Sequence, residues 1–173
     1  MPTSHSAAHG AQESGRSTQR RTSQRKAKTP DAIALLKSDH SEAKKLFKEY
    51  ERLVKEEAGE SEKQSIAHTV CELLKVHTTI EEELLYPAAR EVLEEEDLVD
   101  EAQVEHASAK ELIEQIESMQ PSDAMYDAKV KVLGEYVDHH VKEEQNEMFP
   151  LLRKAKELDL KDLGARLQER KME

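Results

Sequence analysis

The sequence predicts an all-α chain: an up-down-up-down four-helix bundle with a short C-terminal helix and a disordered N-terminal tail. Three observations carry that prediction. Aromatic residues make up only 3% of the chain and charged ones 36%, a mixture rich in Glu, Lys, Leu and Ala that favours helices over strands. Between a few Gly and Pro breaks, apolar residues recur at helical spacing. One pattern is also used twice, because HTTIEEELLYP from His77 to Pro87 returns as HVKEEQNEMFP from His140 to Pro150.

A length of 173 residues suits one domain with a tail. Residues 1–29 read as a basic, disordered tail of Ser, Thr, Gln, Arg and Lys, with too little apolar surface to offset the entropy of ordering. Residues 30–173 read as the bundle. The first helix spans about 30–57, opened by Thr29-Pro30 and stopped at Ala58-Gly59, with Ile33, Leu36, Phe47 and Val54 on its apolar face. Ser61 and Gln64 form a capping box for the second helix, which runs to about Tyr86 before Pro87 ends or kinks it. A third helix starts near Asp97 or Asp100 and stops before Pro121, burying Val99, Ala102, Ile113 and Ile116. The fourth is capped by Ser122 or Asp123 and continues past Pro150 with a kink. Leu160 to Arg170 closes the chain as a short amphipathic helix.

Charge and cysteine content narrow the function classes. The net charge is −11, yet residues 1–30 hold six Lys or Arg against one acid, so an acidic domain carries a basic arm. With no aromatic residue interleaved for base stacking, that arm argues against a nucleic-acid partner. No apolar run approaches the roughly 20 residues of a membrane span, and the lone Cys71 forms no intrachain disulfide, so the expected setting is cytoplasmic, with no membrane partner.

The repeat carries the chemistry. In each copy a histidine precedes a glutamate by four residues, His77 with Glu81 and His140 with Glu144, a spacing that sets both groups on one helix face about 40° apart. The first and third helices contribute His40 in SDHSEAKKLF and His106 in VEHASAKELI, aligned in the same repeat. One histidine on an apolar face is more often a core residue than a ligand. Four of them with two carboxylates are different, since burying such groups without a cation is penalised by several kcal/mol per ion. A metal centre follows, and imidazole with carboxylate suits iron, manganese or zinc. A ferritin-like di-iron site needs Glu-x-x-His on two helices, whereas the order here is His-x-x-x-Glu.

At His40, His77, Glu81, His106, His140 and Glu144 the chain resembles the hemerythrin-like HHE cation-binding family, over about residues 31–155. The resemblance implies two non-haem iron ions, one served by His40 and His77 and the other by His106 and His140, with Glu81 and Glu144 bridging. It also implies dioxygen or another small diatomic or peroxide ligand, in oxygen or iron sensing or stress response, or alternatively a peroxide- or nitric-oxide-handling enzyme or a metal-buffering bundle. The chain departs from oxygen-carrying members at Ala102, where those have a further histidine, leaving Gln103, Glu147 or water to fill a coordination position. Among the remaining candidates, Glu82, Glu83 and Glu143 read as solvated acids, His68 and His139 as surface residues, and Tyr136 as core packing or a hydrogen-bonding partner of the centre.

Overall fold

The computed structural model describes residues 29–173, and all but the last residue of the expected tail lies outside them. Four long helices form the bundle: α1 (Ala32–Lys55), α2 (Glu60–Ile80), α4 (Glu96–Ser118) and α5 (Tyr126–Glu143). Two of them are prolonged. After α2 a π-helical turn, Glu81–Leu85, leads into α3 (Tyr86–Val92), and after α5 the turn Glu144–Met148 leads into α6 (Phe149–Lys154). The chain closes with α7 (Leu160–Lys171), which packs against α1, α2 and the first π turn.

Apolar periodicity sorts the core into two clusters, one containing Leu36, Leu85, Phe149 and Leu152, the other Tyr50, Val70, Ile113 and Leu133. Along α1 the chain passes from the first cluster to the second, along α2 and its extension it returns, and α4 and α5 repeat the excursion. That alternation is the up-down-up-down topology. On every long helix the histidine falls between the clusters, so the four meet in one layer across the bundle.

Several helix ends depart from the sequence reading. Asp31, not Thr29, caps α1, because its carboxylate reaches the Ala34 N–H at 2.8 Å. That helix stops without glycine: Glu57 takes φ 51°, and the N–H groups of Glu57 and Ala58 turn back to the carbonyls of Val54 and Leu53. Gly59 instead caps α2, which leaves Ser61 inside the helix and the Ser61–Gln64 capping box unmade. Asp123 bonds the Gln120 N–H at 2.8 Å within the preceding turn, so α5 begins only at Tyr126. On α1, Tyr50 and Leu53 bury while Val54 is exposed.

Neither Pro87 nor Pro150 ends its helix. A proline ring clashes with the carbonyl four residues back, and a widened turn just ahead of it takes up that clash. Tyr86 N–H accordingly bonds Glu81 O, and Phe149 N–H bonds Glu144 O, each five residues back.

The docking of α7 rests on buried Leu163 and Leu167 and on one close backbone approach. A Cβ on Gly164 would lie 2.6 Å from both Pro30 O and Ala32 N. Neither is a side chain that can swing aside. Gly164→Ala is therefore expected to cost about 1–3 kcal/mol by overpacking, read as a lower thermal midpoint than the parent.

Candidate metal centre

Helical spacing aims the six sequence candidates at one another. His77 and Glu81 lie one turn apart at the α2–π junction, His140 and Glu144 at the α5–π junction, and His40 and His106 complete the layer from α1 and α4. All six are buried, Glu81 completely. Their ligand-type atoms make two sets, His40, His77, Glu81 and Glu144 in one and Glu81, His106 and His140 in the other, with every such atom within 4.8 Å of the rest of its set. His40 Nε2 and His77 Nε2 are 3.2 Å apart, and His106 Nε2 and His140 Nε2 are 3.1 Å apart. Glu81 spans the sets, with Oε1 at 3.1 Å from His77 Nε2 and Oε2 at 3.2 Å from His106 Nε2. Glu144 spans them the other way, 3.3 Å from His40 Nε2 and 3.4 Å from His140 Nε2.

Each imidazole turns its Nε2 inward because its Nδ1 is held outside. Asp39 faces His77 Nδ1 at 3.3 Å and Glu105 faces His140 Nδ1 at 2.6 Å. Glu82 faces His106 Nδ1 and Gln145 faces His40 Nδ1, both at 3.0 Å. An acceptor at Nδ1 fixes the tautomer and leaves the Nε2 lone pair for a cation. Lys110 in turn bonds Glu82 at 2.6 and 2.7 Å.

The donor set fits a bound cation. Both oxygens of Glu81 and Oε2 of Glu144 are buried without a hydrogen bond, a costly arrangement for carboxylates that cations between the two sets would relieve. Electrostatics agree. Burial opposes charge on His77, yet Glu81 and Asp39 outweigh it and push the imidazole up to about 10. Against the same burial, Glu144 and Glu105 push His140 up to about 11. Burial raises the Glu81 carboxyl, but His77 and His106 hold it well below its usual range. Glu144 is raised by burial and by Glu81, and His140 with His40 brings it below its usual value.

The structure corrects the reading of neighbouring residues. Gln103 is exposed and bonds Arg90, and Glu147 is exposed, so neither reaches the centre. Tyr136 is 48% exposed rather than packed in the core or bonded to the centre. Glu82 is not merely solvated, since it faces His106, and Glu83 pairs with Arg170 at 2.6 Å. His68 and His139 are exposed as expected, although His139 joins Glu105 and Glu143 at 3.3 and 3.1 Å. Ala102 is buried among apolar side chains.

Sequence reasoning missed Tyr86, whose hydroxyl donates to Glu144 Oε1 at 3.0 Å and lies 3.0 Å from His106 Nε2. Burial and the nearby Glu81 and Glu144 charges raise its phenol well above the usual value, so it remains a proton donor. The aligned repeat held the signal. Tyr86 matches Phe149, which stacks on His40 at 5.9 Å and has no hydroxyl, so only one half of the centre receives a phenol. The same alignment pairs Asp39 with Glu105 and Glu82 with Gln145, the four groups that hold the imidazoles.

Opposed imidazoles and carboxylates buried between helices define a metal-binding helical protein. The chain belongs to the Hemerythrin HHE cation binding domain family, which it matches over residues 31–152. It is similar in fold to the crystal structure of a Hemerythrin HHE cation binding domain-containing protein from Mycobacterium kansasii, with TM-score 0.68 and 23% identity over 83% of this chain and 86% of that one. It is also 29% identical over 120 residues, 69% of this chain, to a DNA nickase from Nostoc sp. (strain PCC 7120 / SAG 25.82 / UTEX 2576). The chain spans 32% of that relative's length.

The raised histidines make a pH prediction for the metal-free protein. A folded-state pKa above the unfolded one stabilises fully below the unfolded value of 6.5 and ceases to do so as pH rises through about 10 for His77 and 11 for His140. The lowered glutamates add stability that is lost on acidification below their ordinary value of 4.5. The thermal midpoint of chelated protein should therefore fall both above pH 6.5 and below pH 4.5.

Proposed function

We propose that the protein is a non-haem di-iron protein that binds dioxygen or a related small ligand, in oxygen or iron sensing or in a stress response. His40 and His77 would hold one ion and His106 and His140 the other, with Glu81 and Glu144 within reach of both histidine pairs. The observation that carries this reading is the pair of buried donor sets joined by Glu81 and spanned by Glu144, in which both Glu81 oxygens and Oε2 of Glu144 lack a hydrogen-bond partner. Two iron ions held there would supply a redox-active centre for a small ligand.

What the chain itself contributes is order and exclusion. The four Nδ1 acceptors orient the imidazoles, and the apolar clusters on either side keep bulk water from the carboxylates. An apolar cavity of about 30 Å³, lined by residues including Ala43, Leu74, Ala109 and Val137, adjoins the four histidines. A space of this size takes about two or three atoms, enough for a diatomic or peroxide. Among the described residues no helix is long and apolar enough to cross a membrane. The nickase activity named for the Nostoc relative is not carried over, since two-thirds of that protein has no counterpart here.

Protein purified without air is expected to hold two irons per chain and to change its absorption spectrum on exposure to oxygen. Chelation should lower the thermal midpoint, because it leaves Glu81 and Glu144 without their cations. His77→Ala is expected to lose iron while remaining helical. Iron that binds and exchanges freely with no spectral response to air would make the protein a metal buffer.

A second reading, an enzyme acting on peroxide or nitric oxide, is favoured by the Tyr86 hydroxyl, whose oxygen lies 3.0 Å from Glu144 Oε1 and donates its proton there. Tyr86→Phe retains the ring and removes that proton. Under this reading steady peroxide turnover falls at least tenfold in the variant with metal content unchanged; equal turnover would leave the phenol a structural group.

A further inference from the structure

The last helix reaches the centre. Lys171, in the final turn of α7, pairs with Asp39 Oδ1, while the other oxygen of that carboxylate faces His77 Nδ1 at 3.3 Å. Asp39 is 6% exposed, so its charge has little water to turn to. Helix α7 lies outside residues 31–152, the stretch that matches the family, and belongs to none of the four helices bearing candidate ligands.

The counterpart contacts differ. By the internal repeat Glu105 stands to His140 as Asp39 does to His77, yet among the described residues Glu105 pairs with no lysine or arginine, only with His140 and the exposed His139. His106 has Glu82 anchored by Lys110, both borne by the bundle helices and their extensions. His40 has the neutral Gln145. Among the described residues, Asp39 is the one Nδ1 partner of the four that is ion-paired to α7.

We propose that Lys171 is a positioning residue: by holding Asp39 against His77 it keeps the imidazole proton on Nδ1 and Nε2 directed at Glu81, so that the His40–His77 half of the centre depends on α7 and the other half does not. This rests on the reading of the centre as a two-metal site. With the ammonium gone, Asp39 turns outward for solvation and His77 loses the acceptor that fixes its tautomer. Outer partners of this kind change metal affinity about 10–100-fold when removed.

Anaerobic titration with Co(II), followed by its visible absorption, tests the proposal on the full chain. The parent is expected to take up two equivalents. Lys171→Met should weaken one equivalent roughly tenfold while leaving the other, the far-UV helicity and the thermal midpoint near the parent's. Asp39→Asn should weaken the same equivalent, and Lys171→Arg should restore it. Lys110→Met, which releases Glu82, should weaken the other. Equal weakening of both equivalents by Lys171→Met, or of neither, overturns the proposal, as does a loss of helicity matching that of Leu167→Ala, which undocks α7 through packing alone. A parent that binds fewer than two equivalents overturns the two-metal reading and this inference together; a parent that binds two, with Lys171→Met indistinguishable from it, overturns the inference alone.

Discussion

Two carboxylates with almost no access to water, Glu81 and Glu144, are the constraint that the rest of the molecule answers. An ionised carboxylate moved into an apolar interior is penalised by several kcal/mol unless positive charge and hydrogen bonds accompany it. The bundle supplies imidazoles on every long helix, each fixed from outside by an acceptor. Around this layer the apolar clusters exclude water, which raises the penalty for any unmatched charge and strengthens every matched contact. The same seclusion that makes the glutamates costly would make them effective ligands for a cation.

Internal duplication explains the arrangement economically. A histidine on one helix is held by the acid that precedes the histidine of its neighbour, Asp39 for His77 and Glu105 for His140. The residue after each glutamate, Glu82 or Gln145, holds the remaining pair. The duplication is broken at Tyr86 against Phe149, at Glu82 against Gln145, and at Lys171, which among the described residues has no lysine or arginine counterpart at Glu105. Each break adds charge or a proton to one half only, so the halves are chemically distinct although their Nε2 frames match.

The bundle and its six central residues were legible because helical period and repeat spacing are local properties of the chain. His77 and Glu81 disclose a shared face from four residues of sequence, whatever the rest does. What stayed hidden depends on contacts between distant residues. Nothing local marks Lys171 as the partner of Asp39, or separates Glu82, turned to His106, from Glu83, turned to Arg170. Helix ends were misplaced for a related reason: Asp31 and Thr29 are both competent caps, and Glu57 accepts a positive φ that glycine would adopt at less cost. Tyr86 was overlooked although the repeat displayed it, because an aromatic before proline reads equally well as packing.

The π turns carry a consequence for how this fold tolerates change. Each holds one more residue than an α-helical turn would need, and everything beyond it, including Tyr86 and Phe149, is rotated by about one residue's arc, roughly 100°. Chain length between Glu81 and Pro87 is therefore specified as tightly as residue identity. An exchange at exposed Glu83 alters one surface ion pair, but the loss of that single position would let the turn relax to an α-helix and swing the Tyr86 hydroxyl away from Glu144. Along these two segments a surface substitution leaves the helix register intact, whereas a deletion shifts it.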